Sequence, residues 1–527
     1  MRLRALRTPA LLTALFSAFA APLSAGARFT ILNGNATPVG FSDPTPTAPV
    51  GGNPGLTLGE QRLIALRRAT QIWGSLLDSA VEIRVQATFD SLDCSANSAV
   101  LASAGPIQIL KDFPGAELPA TWYPVALASK RAGTDLLAGD PSNTSLDDIR
   151  VRFNVRLGEA ECLAGSGWYY GLDANHGTQT DFINVALHEL AHGLGFLTLV
   201  DLETGQELMG FPDVFERRLF DTAAGNHWHA ITAAERLASA VAVRRVVWDG
   251  PEVTAAIPGT LAPGTPLLTI TFPAGIAGDL PVGAAAFGPP VSSQAVSGTL
   301  VLEQDAADPD GPSTTDGCSP LTNASELAGK IAFVDRGTCT FVTKARNAQA
   351  AGAIAMVVSD NVEGSPPAGL GGDDPAITIP SVRITLADGN AIKSNLVTGV
   401  TATLRVDLSQ LAGADRTGRA LMNATNPVDP GSSISHWDPV AFPNLLMEPS
   451  NSADLGHGVD LTLSLFRDIG WFADFDSDGV PDEQDNCRNV VNPAQADADR
   501  NGVGDECQRT VGLAPRRGSP RVVPGRP

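Results

Sequence analysis

The sequence predicts an α+β fold for the N-terminal part of the chain, because one helical pattern and two alternating patterns occur there in that order. Thr57 and Glu60 have the spacing of a capping box, and a helical apolar stripe follows at Leu63, Leu66, Ile72, Trp73 and Leu77. Apolar residues then alternate with mostly polar ones in two segments, which predicts two strands that each bury one face. The first contains Val81, Ile83, Val85, Ala87 and Phe89, and the second Ile149, Val151, Phe153, Val155 and Leu157. A further helix is predicted to begin near Asp181.

The other segments of the chain differ from this α+β part in composition. Residues 28 to 55 are rich in Pro, Gly and Thr, which is typical of an extended lead-in. From about 248 to 408, Pro and Gly increase again and the predicted strands are short. An amphipathic helix is predicted after that, through Leu461, Leu463, Leu465 and Phe466. Residues 474 to 508 are Asp-rich and periodic, and the basic, Pro-rich tail from 509 to 527 is expected to be disordered.

Length and composition indicate a globular protein with several domains. A chain of 527 residues is too long for one hydrophobic core, so we expect roughly two to four domains. A content of 43% hydrophobic and 18% charged residues is typical of a folded protein. The formal net charge of −21 argues against a nucleic-acid partner, because phosphate binding requires a basic patch.

The N-terminus has the pattern of an export signal. Arg2, Arg4 and Arg7 form a positive region, residues 9 to 21 are apolar, and small residues follow as far as Ala27. A membrane anchor is the alternative, but the apolar region is well short of the roughly 20 residues that span a bilayer. We therefore expect a signal peptide at 1–27 and a soluble mature protein that is secreted or periplasmic, without a transmembrane segment.

The six cysteines fit an oxidising compartment. We expect three disulfides between partners that are local in sequence, although other pairings are possible. None of the cysteines has the C-x-x-C spacing of a metal site, so disulfides are the better interpretation. The expected pairs are Cys94 with Cys162, Cys318 with Cys339, and Cys487 with Cys507.

A metal site is predicted on the helix that begins near Asp181. His188 and His192 are four residues apart, so on a helix they project from one face and can bind one zinc ion. Glu189 lies beside them, where it can take a proton from the water that attacks a peptide carbonyl. Two incidental histidines are the alternative, but the chain contains only seven, and a Glu between two of them at this spacing favours zinc catalysis.

The continuation of the motif raises the question of the third ligand, since a catalytic zinc usually has three protein ligands and one open position. The run His-Glu-Leu-Ala-His-Gly-Leu-Gly-Phe resembles the metzincin consensus H-E-x-x-H-x-x-G-x-x-H as far as Gly195, which can end the helix in a left-handed turn. The consensus would place a third histidine at position 198, where this chain has Thr198. The third ligand must therefore come from elsewhere.

His436 and Met447, eleven residues apart, supply the missing parts of the pattern. They resemble the leishmanolysin-type metzincins, in which an insertion separates the glycine turn from the third histidine and a Met-turn follows. The resemblance implies that His436 is the third zinc ligand and that Met447 packs beneath the metal without binding it. It also implies a zincin-like catalytic domain with a mixed sheet and an active-site helix. The alternatives are core packing for Met447, and His227 or His229 as the ligand.

Residues 329 to 339 (GKIAFVDRGTC) begin a second resemblance, which continues through Lys344, Asn347, Ala348, Gly352 and Ala353 to the run VVSD at 357 to 360. The pattern predicts a strand ending at Arg336, a helix over 343–351 and a strand over 355–359. It resembles a protease-associated (PA) domain covering 248–408, with no nucleophile–base pair or ligand cluster standing out. The resemblance implies substrate access or partner contact, and a purely structural insert is the alternative.

The Asp-rich stretch follows the pattern D-x-D-x-D-G-x-x-D-x-x-D, which matches the oxygen offsets of a calcium loop. The expected ligands of the first loop are Asp474, Asp476, Asp478, the Val480 carbonyl, Asp482 and Asp485. Those of a second, weaker loop, which has Gln508 at the last offset, are Asp497, Asp499, Asn501 and Asp505. The stretch resembles a thrombospondin type 3 repeat. Carboxylates this close repel one another unless a cation neutralises them, and the alternative is a solvated acidic linker.

Together these patterns predict an exported zinc endopeptidase that acts on proteins or peptides and carries one catalytic zinc and structural calcium. A catalytically inactive adhesion or binding protein is the alternative, although an intact Glu189 argues against it. A metal-dependent hydrolase of other substrates is disfavoured only by the resemblance. The predicted parts are a signal peptide (1–27), a catalytic domain in two pieces (28–247 and 409–473), the PA insert (248–408), the calcium repeat (474–508) and the tail (509–527).

Overall fold

The computed structural model describes residues 26–96, 98–138, 147–307, 309, 311–364, 367, 369–372, 374–452, 454–472, 480, 485–487, 490–498, 500 and 502–511. The predicted signal peptide up to residue 25 and the tail from residue 512 lie outside the described residues, as do six of the expected calcium ligands. Within the described ranges, none of the helices has both the length and the hydropathy that crossing a bilayer requires.

The chain has a mixed α/β structure. Its α-helices span Leu58–Leu76, Val125–Ala132, Phe182–Leu194, Ala233–Ala240, Pro251–Thr260, Ala324–Leu327, Phe341–Ala350, Leu386–Lys393, Asp460–Asp468 and Asp505–Val511. A small three-stranded sheet contains Asn226–His227, Leu219–Asp221 and Val246–Trp248. Three two-stranded pairs join Trp168–Tyr169 to Thr180–Asp181, Cys94–Ser95 to Ser98–Ala99, and Ile109–Leu110 to Tyr123–Pro124.

A four-stranded mixed sheet forms the N-terminal part of the structure. Its strands lie in the order Phe29–Asn33, Ile83–Asp90, Ile149–Asn154 and Ala102–Pro106. The first three are parallel, and the last is an antiparallel edge strand. Along the strand Ile83–Asp90, buried residues alternate with half-buried residues, as predicted. The first strand belongs to the lead-in, where composition predicted only extended chain.

The predicted second strand is shorter than its alternation suggested. It ends at Asn154, so Val155 and Leu157 lie beyond it. The Asn154 side chain donates to the carbonyl of Val100 at 2.9 Å and accepts from the backbone N–H of Arg156 at 3.0 Å. This local bonding turns the chain away from the sheet, which leaves Val155 exposed.

The helix Leu58–Leu76 joins this sheet to the helix Phe182–Leu194, which we call the motif helix. The predicted capping box of the helix Leu58–Leu76 is present, with Thr57 and Glu60 each accepting from the other's backbone N–H. Trp73 is fully buried and donates from Nε1 to the Leu187 carbonyl at 3.1 Å. The two helices therefore share one core with the inner face of the sheet.

The middle of the chain forms a larger mixed sheet of eight strands. Their order is Gly278–Pro281, Pro263–Phe272, Thr401–Leu411, Val296–Leu302, Ile331–Asp335, Ala355–Ser359, Ser381–Ile384 and Gly283–Ala284. The predicted strand at 355–359 is confirmed, and the predicted helix spans Phe341–Ala350. It begins two residues early because the Thr340 side chain accepts from the Thr343 N–H and caps it. Two apolar clusters separate from the N-terminal core stabilise this sheet.

The chain enters and leaves the eight-stranded sheet at the same place. The Ala412 N–H donates to the Ala262 carbonyl at 3.0 Å, one residue outside the paired strand ends. Nearer the first core, the Trp248 N–H donates to the Ala420 carbonyl at 2.8 Å. The segments before and after the sheet consequently belong to one apolar cluster, which contains both Trp248 and Met422. The exact domain boundaries remain predictions.

All three expected disulfides are present. The Cα–Cα distances are 5.0 Å for Cys94–Cys162, 5.7 Å for Cys318–Cys339 and 5.5 Å for Cys487–Cys507. These values lie within the range of ordinary disulfides.

Candidate metal centre

The motif helix begins where the sequence predicted. Asp181 is its N-cap, and its Oδ1 accepts from the backbone N–H groups of Ile183 at 2.8 Å and Asn184 at 3.2 Å. The helix ends at Gly195, whose φ of 128° is a conformation that a residue with a Cβ rarely adopts. Its apolar side chains at Leu187, Leu190, Ala191 and Leu194 are completely buried. The helix is therefore fixed in the core.

Three histidine side chains converge at the outer edge of this core. The Nε2 atom of His188 lies 3.1 Å from Nε2 of His192 and 3.1 Å from Nε2 of His436. Together they form a group of ligand atoms that all lie within 4.8 Å of one another, and no other metal-capable group of three occurs in the described part of the chain. His188 and His436 are 248 residues apart in sequence.

A backbone carbonyl fixes the other ring nitrogen of each histidine. His188 Nδ1 lies 2.7 Å from the Leu446 carbonyl, His192 Nδ1 2.7 Å from the Phe196 carbonyl, and His436 Nδ1 2.8 Å from that of Ser432. A carbonyl can only accept, so each Nδ1 carries the proton and each Nε2 presents a lone pair. Such outer contacts orient metal-binding imidazoles.

Burial keeps these imidazoles neutral. It lowers the pKa of His188 to about 4 and the pKa of His192 to about 3, with the neighbouring His188 ring adding to the second shift. Burial, and then the other two rings, hold the pKa of His436 well below its usual value. Neutral imidazole is the form that binds zinc.

The geometry and the donor set fit zinc. Tetrahedral zinc with Zn–N distances of about 2.1 Å separates two ligand nitrogens by about 3.4 Å, close to the two 3.1 Å distances. Three neutral nitrogen donors with one position left for water or substrate are typical of catalytic zinc. Glu189, the neighbour of His188, is only 7% exposed, and burial raises the pKa of its carboxyl to about 8.

Met447 lies in a turn that contacts two of the histidine segments. It is fully buried, and its carbonyl accepts from the Trp437 N–H at 2.8 Å, next to His436. The carbonyl of the preceding Leu446 is the acceptor for His188 Nδ1. Asp460 supports this turn, because its Oδ2 accepts from the Leu446 N–H at 2.5 Å. The sequence reasoning did not identify Asp460, whose only signal is an Asp at the start of the predicted helix.

The rival histidines are not part of the cluster. His227 Nε2 lies 3.0 Å from Asp249 Oδ2, and the His229 ring is 5.7 Å from that of His227. The sequence reasoning also missed His457, whose Nε2 lies 3.0 Å from Oδ2 of the buried Asp181. That contact attaches the segment after the Met447 turn to the start of the motif helix.

Four of the expected calcium ligands lie in described positions. Asp485 Oδ1 accepts from the Cys487 N–H at 2.7 Å, Asp497 Oδ2 from the Gly502 N–H at 2.8 Å, and Asp505 Oδ1 from the Ala498 N–H at 3.2 Å. The fourth is Val480, whose carbonyl is the expected ligand. Outside the described residues lie Asp474, Asp476, Asp478, Asp482, Asp499 and Asn501. Calcium binding remains a prediction.

Comparison with protein families identifies two modules in the chain. Residues 296–392 match the PA domain, and residues 473–495 match the thrombospondin type 3 repeat. Both resemblances inferred from the sequence are therefore confirmed at the level of the module.

Several curated proteins resemble short parts of the chain. It is 38% identical over 130 residues to probable leucine aminopeptidase 2 of Aspergillus fumigatus, covering 24% of this chain and 25% of that protein. It is 39% identical over 89 residues to the minor extracellular protease Vpr of Bacillus subtilis, covering 17% and 10%. A segment of 84 residues is 43% identical to the ER degradation-enhancing alpha-mannosidase-like protein 3 of Xenopus laevis, covering 14% and 9%. The chain thus spans a quarter or less of the length of these relatives.

The solved structures that resemble the chain do not identify its fold. A zinc aminopeptidase from Bacillus subtilis is 23% identical and covers 33% of this chain and 37% of that one, with a TM-score of 0.21, too low to support an argument about the fold. The peptidases among the relatives support a peptidase function in general. Matches that cover a quarter or less of proteins with such different names do not identify the kind of peptidase, so the leishmanolysin-type interpretation depends on the metal centre.

Proposed function

We propose that this chain is a secreted zinc-dependent endopeptidase, with His188, His192 and His436 as zinc ligands and Glu189 as general base. The observation that carries the proposal is the convergence of three Nε2 lone pairs from neutral, buried imidazoles. The three disulfides support an oxidising compartment. An extracellular protease among the relatives is in keeping with secretion.

Glu189 carries out the proton transfers in this proposal. Zinc bound by the three imidazoles would lower the pKa of a water molecule and polarise the peptide carbonyl. The Glu189 carboxylate takes a proton from the water as its oxygen bonds to the carbonyl carbon. The same carboxyl then gives that proton to the amide nitrogen, the C–N bond breaks, and an amine and a carboxylic acid are released, the acid losing its remaining proton to solvent.

A sheet edge that is paired on one side only supports cleavage within chains rather than at their ends. The strand Ala102–Pro106 is the edge of the four-stranded sheet, and it packs against the motif helix. In the described part of the chain it is paired on one side only. An extended substrate can pair with such an edge on both sides of the scissile bond, which fits an endopeptidase. Internally quenched peptides and aminoacyl anilides distinguish the two activities directly.

The test is removal of the distant ligand. In His436→Ala the purified mature chain should lose most of its zinc and its casein-digesting activity, because two imidazoles bind zinc far more weakly than three. His229→Ala, a change of the same size outside the cluster, should keep both. A His436→Ala protein with full zinc, or a His229→Ala protein without it, would show that the third ligand is wrongly assigned.

A further inference from the structure

Thr198 occupies the position at which the metzincin consensus has its third zinc ligand, and its contacts lead to the residue that replaces that ligand. Its backbone N–H donates to Ser435 Oγ at 3.2 Å. Ser435 immediately precedes His436. The turn after the motif helix thus contacts the segment that carries the distant histidine.

Asp213 fixes the turn that contains Thr198. Its Oδ2 accepts from Thr198 Oγ1 at 2.9 Å and from the Leu199 N–H at 2.5 Å. Its Oδ1 accepts from the Glu216 N–H at 2.6 Å. Asp213 is only 3% exposed, so these bonds are shielded from water. The turn whose Thr198 N–H donates to Ser435 is thus held by two hydrogen bonds to Asp213.

Apart from the facing rings of His188 and His192, the contacts of His436 come from its own side of the insert. The Asn423 N–H donates to the His436 carbonyl at 2.9 Å, and the Ser432 carbonyl contacts its ring. The neighbouring Trp437 is bonded to Met447. All three partners follow the eight-stranded sheet in sequence, whereas Thr198 precedes it. The Thr198–Ser435 bond thus connects the helix of the first two ligands to the loop of the third.

We propose that Asp213, Thr198 and Ser435 form a positioning unit that sets His436 against His188 and His192. It acts through the backbone beside His436 and touches neither metal nor substrate. The inference rests on the proposed zinc site and deepens it. It explains how His436, which lies 248 residues after His188 in the sequence, reaches a fixed position beside it. Outer contacts of metal ligands commonly affect metal affinity by about 10- to 100-fold.

The experiment compares Ser435→Ala with Ser435→Thr, which restores a hydroxyl. Ser433→Ala is the matched control: Ser433 Oγ accepts from the Asp429 N–H at 2.9 Å and contacts Thr425 Oγ1 at 2.6 Å, both within the loop. We expect Ser435→Ala to weaken zinc binding about tenfold in a chelator competition. It should also broaden the visible spectrum of the cobalt-substituted protein and lower kcat with little change in KM. Ser435→Thr should recover most of these values, and Ser433→Ala should stay within about twofold of wild type in zinc affinity.

Melting temperature separates positioning from general loosening of the loop. Ser433→Ala, which removes a buried hydroxyl, should lower it at least as much as Ser435→Ala does. If both variants weaken zinc binding equally, or if Ser435→Ala matches wild type, the positioning unit is wrong. Those results would leave the zinc site standing as long as His436→Ala loses its metal. A wild-type protein that binds no zinc would instead overturn the proposed function.

Discussion

At the scale of single residues, Glu189 combines burial with closeness to the metal-binding imidazoles. Glu189 is only 7% exposed, and it directly follows the proposed ligand His188 in the motif helix. A buried carboxylate is unfavourable in its charged form unless a cation lies nearby, so burial raises the pKa of Glu189. Bound zinc would supply that cation and leave the carboxylate free to accept a proton.

The substitution Glu189→Gln should therefore separate zinc binding from catalysis. Glutamine has nearly the same shape but cannot accept the proton, so we expect normal zinc content and a fall in kcat of roughly a hundredfold to ten thousandfold. Zinc stoichiometry and the digestion rate of a quenched protein substrate are measured on the same preparation. Wild-type digestion by this variant would eliminate the proposed base.

At the scale of elements, the helices on either side of the eight-stranded sheet are joined by one carboxylate. Asp468 ends the helix Asp460–Asp468, and its Oδ1 accepts from the Glu252 N–H at 2.9 Å. Its Oδ2 accepts from the Val253 N–H at 3.2 Å and from Trp248 Nε1 at 2.8 Å. A residue that follows the eight-stranded sheet in sequence thus caps the helix Pro251–Thr260, which precedes that sheet.

The change Asp468→Ala should destabilise the part of the protein that contains the metal centre. It leaves three donors without an acceptor, two of them buried, so we expect a loss of roughly 2 to 4 kcal/mol in the free energy of unfolding. Urea unfolding followed by tryptophan fluorescence measures it. Asp201→Ala removes an exposed carboxylate that also accepts from nearby backbone N–H groups, and it should cost less than about 1 kcal/mol. Equal losses would argue against the cap.

Local patterns explain which elements could be predicted from the sequence. The motif helix and the strand Ala355–Ser359 have their signals within a few residues, in caps and in runs of apolar side chains. The strand Phe29–Asn33 was missed because its pairing partner, Ile83–Asp90, lies far along the chain. For the same reason spacing could not identify His436 as a ligand, which required a family resemblance. Nor could it reveal that Thr198 contacts Ser435.

At the scale of the whole molecule, a folded insert with adjacent ends allows a metal centre to be assembled from distant segments. Loop closure costs conformational entropy that grows only slowly with length. Here the chain re-enters one residue beyond the paired strands, through the 3.0 Å bond between Ala262 and Ala412. The segments of the first core before and after the insert are therefore held close together, although the insert contains its own sheet and two apolar clusters.

The thrombospondin type 3 repeat should respond to calcium independently of that core. Calcium that binds the folded loops and not the unfolded ones stabilises them by mass action, so it should slow limited proteolysis within 474–508. A calcium-selective chelator should reverse the protection without removing zinc. Asp476→Asn removes a carboxylate from a ligand offset of the first predicted loop. Glu483→Gln removes the same charge from an offset that supplies no ligand in a calcium loop.

We expect Asp476→Asn to require about tenfold more calcium for protection and Glu483→Gln to behave as wild type. A general effect of acidic charge would shift both variants alike, because screening depends on the number of charges and not on their offsets. Equal shifts, or cleavage that calcium does not change, would leave the repeat as a solvated acidic segment closed by the Cys487–Cys507 disulfide. Cleavage of short peptides by the metal centre should be the same in all three proteins, since the proposed zinc ligands come from the motif helix and the segment around His436.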